Sequence, residues 1–206
     1  MRIMKGKWKR LVAVALAALL PMAAAAVEPR LKTSGREVRS FEPPAIVTVP
    51  EGAQYLGSRR WVLYGYADCD LHLYADKDAK GVVTRLYWIQ SEGYIPSRPE
   101  LTHAGDYDKS RKLQLGGFGF HQDTWTRNRK DAAPQNSDLE QVEQLVAQNK
   151  LTLPPEMAFV RWVHLPDAAQ RKELMIIYAE RIPAASPQRE AAALASAKKR
   201  IQVRKR

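Results

Sequence analysis

Cysteine is all but missing from this chain, with Cys69 the single example in 206 residues. One thiol excludes an internal disulfide, a cysteine-based zinc site and a CxxC redox pair. Histidine is scarce too, with four residues and no HExxH spacing among them. GxSxG and P-loop patterns are absent, and Asp76-x-Asp78 is too short and too poor in acids for an EF-hand loop. No internal repeat is visible. The apolar run at residues 11–20 holds ten residues, about half of the ~20 that cross a bilayer. With 45% hydrophobic and 27% charged residues, neither wholesale disorder nor a polytopic membrane protein fits the composition. A chain of this length buries roughly two-thirds of its unfolded surface, so it needs no disulfide framework or structural metal to stay folded.

Acidic residues are missing from the first ten positions, where Arg2, Lys5, Lys7, Lys9 and Arg10 stand alone. The apolar run follows, Pro21 breaks any helix, and the alanines of 23–26 suit signal peptidase. This order predicts a cleaved signal peptide over residues 1–26 and a periplasmic or secreted protein with no transmembrane anchor after cleavage. No cysteine flanks the cleavage region and Lys9-Arg10 is not a twin-arginine pair, which leaves the general secretory route. Without residues 1–26, 28 basic residues face 22 acidic ones. Seven of those bases and one of those acids fall within 187–206, which leaves 21 of each sign in 27–186. The net positive charge of the mature chain therefore belongs to its last twenty residues, and the neutral body offers no basic face for nucleic acid.

Residues 27–44 are polar, aperiodic and end in Pro43-Pro44, which predicts an extended leader ahead of a single domain over 45–186. Residues 45–49 read as a short strand. Residues 60–75 and 82–94, rich in aromatic and β-branched side chains, flank a turn-forming segment that ends in Gly81. They predict a long antiparallel hairpin, with Gly65 marking a bend or bulge. Residues 95–112 read as a loop and 113–120 as a strand weakened by three glycines. Ser137-Asp138-Leu139-Glu140 forms a capping box, and Leu139, Val142, Leu145 and Val146 follow at helical spacing to about residue 148. Residues 158–165 and 173–182 predict a second hairpin. Ser186-Pro187 opens a last helix that reads as a basic tail over 187–206, with too few large apolar residues to require docking. The sum is an α+β domain: a largely antiparallel sheet of five to six strands, one main packed helix and a basic C-terminal helix.

Three constellations carry chemistry. Asp68, Asp70 and His72 alternate along a strand and so share a face, where two carboxylates and an imidazole suit a divalent metal, with His164 as a further ligand. Against this, the same alternation makes them the solvent face of a half-exposed strand, with Leu71 and Leu73 pointing inward. Gln90 and Glu92 share a face with Trp88, which places polar groups on an aromatic surface, and Arg161 and Tyr178 from later strands are their candidate partners in a ligand pocket. A wet strand end is the plainer reading of Glu92. Cys69, flanked by Asp68 and Asp70, is disfavoured as a thiolate and reads as a buried structural thiol. His121-x-Asp123 reads as a hydrated loop pair. The tail residues Arg189, Lys198, Lys199, Arg200, Arg204, Lys205 and Arg206 are the candidates for an anionic envelope partner.

These features favour an exported, non-enzymatic ligand-binding or interaction module that needs no cofactor. The rivals are a metal-assisted hydrolase built on the Asp68, Asp70 and His72 face, and an envelope-associated protein that holds anionic lipid or polysaccharide through its tail.

Overall fold

The computed structural model describes residues 29–206, so the expected signal peptide over 1–26 lies outside the described residues. In chain order the elements are β1 (Leu31–Ser34), β2 (Glu37–Ser40), β3 (Ala45–Thr48), β4 (Gln54–Leu63), β5 (Ala67–Lys77), β6 (Val83–Tyr94), β7 (Lys112–Leu115) and β8 (Phe118–Asn128). They continue with α1 (Asp138–Gln148), β9 (Glu156–His164), β10 (Lys172–Arg181), α2 (Pro187–Arg200) and β11 (Gln202–Lys205). Among the described residues 48% are strand and 14% helix, so the fold is mostly β. This corrects the α+β expectation of one sheet with five to six strands. The described residues form two antiparallel sheets, a four-stranded one in the order β1-β2-β3-β11 and a seven-stranded one in the order β4-β5-β6-β10-β9-β8-β7.

Two tight turns account for two of the extra strands. Tyr64 and Gly65 both take positive φ, 47° and 80°, and Tyr66 N–H donates to the Leu63 carbonyl at 3.0 Å. Leu63 pairs with Ala67 across this three-residue turn, so the run 60–75 is cut into β4 and β5 where the sequence predicts a bend. Gly116 and Gly117, at φ 62° and 83°, likewise divide 113–120 into β7 and β8. The hairpin of β5 and β6 forms as its turn chemistry predicts. Asp78 accepts the amides of Lys80 and Val82 through its side chain, and Gly81 holds φ +76°. The strands β9 and β10 also pair as the sequence predicts.

The seven-stranded sheet is covered on both faces. On one, Leu73, Trp88, Phe159 and Ile177 pack under Val142, Leu145 and Val146 of α1. The helix begins at Ser137, whose hydroxyl accepts the Glu140 amide at 3.2 Å, while the Glu140 carboxylate reaches the Asn136 amide at 2.6 Å, one residue further back than the capping box predicts. On the other face, Tyr87, Ile89, Trp162 and Ile176 pack against the four-stranded sheet and α2. The segment read as a leader forms the β1–β2 hairpin of that sheet. In the segment read as a tail, Ala193, Ala197, Ile201 and Val203 are buried, and β11 pairs antiparallel with β3. Alanines on the inner stripe of α2 let the helix axis approach the sheet closely, so little side-chain bulk is needed to dock it.

Candidate functional site

Strand register assembles a polar cluster inside the α1-covered face. Cys69 of β5 stands opposite Glu92 of β6, and Glu92 stands opposite Glu173 of β10. Two residues along, Gln90 lies beside the cluster, and the first turn of α1 brings Asp138 onto it. The Gln90 amide donates to Asp138 at 3.2 Å and to Glu92 at 3.4 Å, and its carbonyl oxygen accepts the Trp88 indole N–H at 2.8 Å. The Cys69 thiol donates to Glu92 at 3.4 Å. Loop residue Tyr107 donates to Glu173 at 2.5 Å, and His103 Nδ1 lies 3.5 Å from the same carboxylate.

Three carboxyl groups thus share one buried volume, and burial acts on all of them in the same direction. Burial, followed by the charges of Glu173 and Asp138, pushes Glu92 up to about 8. Burial raises Asp138 to about 6, against the hydrogen bond from Gln90. Glu173 is also raised by burial, with His103, Tyr107 and Arg161 opposing. The Cys69 thiol is raised by burial and by Glu92, so it stays protonated.

Beside the cluster lies a pocket of about 250 Å³. Its walls are Trp88, Trp125, Phe159, Met175 and Ile177, with Tyr64 at the rim, and Asp138, Arg161 and Arg127 are its charged residues. Trp125 stacks on Phe159 with ring centroids 5.1 Å apart and planes within 9°. The Arg161 guanidinium lies 5.3 Å from the Tyr107 ring centre and 5.7 Å from that of Trp125, and both edges of its fork are held by Asp123, with Nε 3.1 Å from Oδ1. Arg127 is paired with Glu143 at 3.1 Å.

Of the residues the sequence nominates for a ligand site, Trp88 and Arg161 line this pocket, Gln90 bonds to its Asp138, and Glu92 lies behind Gln90. Glu92 is not a wet strand end but 5% exposed. Tyr178 stands apart: it packs with Tyr87 in the core under the four-stranded sheet and donates to Glu180 at 2.6 Å. Asp70 and His72 do share a face, with His72 Nε2 3.9 Å from Asp70 Oδ1, but that face is covered rather than solvated. Asp70 accepts the amides of Arg30 and Leu31 at 2.8 and 3.0 Å and so anchors the start of β1. Burial lowers the His72 pKa, with Asp70 opposing. Asp68 is half-buried beside them. His164 lies in the same lateral row as Asp70, but Ser91 and Leu174 stand between, three strand spacings or roughly 14 Å away. His164 Nδ1 instead faces the Gly119 carbonyl at 2.9 Å, so the structure does not bring it to the Asp/His pair. His121 and Asp123 are also separated in role, the former beside the Asp108 carbonyl and the latter on Arg161.

Sequence reading passes over Asp138, Glu173, Tyr107 and His103. Asp138 reads only as one residue of the capping box, and Glu173 as the first residue of a strand. Only the register of β10 against β6 puts Glu173 beside Glu92, and no local pattern carries that register. Donor atoms of Cys69, Glu92 and Asp138 lie within 4.8 Å of one another, close enough to reach one cation. Proximity alone assigns no ion to them. Comparison with protein-family models, with curated proteins and with solved structures finds no match to this chain.

Proposed function

We propose that this chain is an exported small-molecule binding module, periplasmic or secreted, whose ligand enters the pocket between the sheet and the first turn of α1. The observation that carries this reading is the composition of the pocket: aromatic and aliphatic walls from Trp88, Trp125, Phe159, Met175 and Ile177, with two convergent polar groups, Asp138 and Arg161. Ligand sites are built this way, with apolar area for affinity and a few fixed polar groups for orientation. At about 250 Å³ the pocket suits a ligand at the small end of that class. The test is native mass spectrometry of protein isolated from its own host, together with a thermal-shift screen of aromatic fragments. A retained small molecule, or fragments whose stabilisation is lost in Trp125→Ala, supports the reading. No retained molecule and no stabilising fragment at millimolar concentration contradicts it.

A second reading concerns the basic residues of α2 and β11. Lys198, Lys199, Lys205 and Arg206 are exposed on or beside docked elements, while Arg204 is paired with Glu37 at 3.0 Å, and the exposed cations suit an anionic envelope component. Full-length protein with Lys198→Glu and Lys199→Glu should partition less onto anionic vesicles at low salt. Equal partitioning of the two proteins contradicts this role.

A further inference from the structure

We infer that the pocket takes an organic cation, an ammonium group set against Asp138 with its apolar body between Trp88 and Trp125. This rests on the pocket being a ligand site. Asp138 is the one acidic residue of the pocket lining. Behind it, outside the lining, lie Glu92 of β6 and Glu173 of β10, the Cys69 thiol of β5, and Tyr107 and His103 of the 95–112 loop. The two cations in its lining are spoken for, Arg161 by Asp123 on β8 and Arg127 by Glu143 on α1. Among the described residues no ion pair joins Glu92 or Asp138 to a cation, and the partner of Asp138 is the neutral amide of Gln90.

The walls point the same way. Indole and phenyl faces carry negative quadrupole charge, and a cation within ~6 Å of a ring centre is attracted to it. An anionic ligand would have to break one of the two arginine pairs and then sit beside the Asp138 carboxyl. A cation meets aromatic faces and the unpaired Asp138 carboxyl. Because burial raises Asp138 to about 6 and Glu92 behind it to about 8, a cation arriving below those values displaces a proton to solvent, and its affinity rises with pH.

The experiment compares three probes with one phenyl body on the full secreted chain: 2-phenylethyltrimethylammonium, 2-phenylethanol and 3-phenylpropionate. The cation should bind at least tenfold more tightly than the alcohol and should tighten between pH 6 and pH 8, while the alcohol stays flat. Asp138→Asn should bring the cation down toward the affinity of the alcohol. Should that variant fail to fold, Glu92→Gln should flatten the pH dependence of the cation. Equal or tighter binding of the alcohol or the carboxylate overturns the cation assignment and leaves the pocket as a ligand site. Binding of none of the three overturns both.

Discussion

Glu92 is a carboxyl group enclosed by protein, and its burial links the stability of the fold to pH. Its folded pKa is raised to about 8 from an ordinary value of 4.5. Between those values the folded state holds a proton that the unfolded chain has lost, so stability falls as pH rises, by up to ~1.4 kcal/mol per unit for one proton. Asp138 adds the same sign between 3.8 and about 6. We therefore expect the thermal midpoint to drop from pH 5 to pH 8, and Glu92→Gln to flatten that slope, as read by calorimetry. A midpoint that is level or rises across the window would refute the linkage. Cys69, 3% exposed and held as a thiol, should react with a thiol reagent at pH 8 only as fast as the protein opens, checked by comparing native and denatured rates. At this scale the sequence was legible where alternation decides. Trp88, Gln90 and Glu92 share a face because they stand two apart on one strand. Tyr178 was misplaced because its side depends on the register of β10, where it pairs with Tyr87 and Val160.

Turns and caps govern the elements. Gly116 holds φ +62° while the β7–β8 turn presses on β11, and a Cβ built there would lie 2.2 Å from the Val203 carbonyl oxygen. Gly116→Ala should therefore destabilise by at least ~2 kcal/mol in urea unfolding, since a left-handed alanine and a backbone collision act together. A change under 0.5 kcal/mol would mean that the turn and β11 do not meet. The end of α1 offers the opposite case. Lys150, at φ 58°, donates to the Ala147 carbonyl, and Leu151 N–H donates to Val146, a helix stop that favours glycine at the position of Lys150. Lys150→Gly should stabilise by about 0.5–1 kcal/mol in the same assay. The helix α1 and the β5–β6 hairpin were readable from sequence because their signals are local: a capping serine with apolar residues at helical spacing, and a turn ending in Gly81. At Gly65 the sequence showed a bend but not the reversal of the chain, because a tyrosine at positive φ inside an aromatic run carries a strand signal.

The whole molecule is held by contacts between chain ends that no local pattern displays. Residues 31–48 and 202–205 form one sheet, and that sheet converts the expected solvent face of β5 into core. Rules that assign one buried face to an antiparallel sheet therefore undercounted both strands and layers. They also made 187–206 look dispensable. Burial of Ile201 and Val203 contributes about 1.5–3 kcal/mol each, a large share of the ~5–15 kcal/mol that holds a domain together. Truncation after Ser186 should thus abolish the cooperative unfolding transition and expose dye-binding apolar surface, whereas a truncated chain with an unchanged midpoint would show that α2 and β11 are mere appendages. The pocket lies on the other side of the seven-stranded sheet from these elements, and that separation allows a direct test of its role. Trp88 and Trp125 line the pocket, while Trp162 is sealed on the opposite face. In nitrogen–proton spectra of the indole groups, titration with 2-phenylethyltrimethylammonium should shift Trp88 and Trp125 and leave Trp162 in place. A saturable shift of Trp162 alone, or no indole shift at all, would contradict the assignment of this pocket as the binding site.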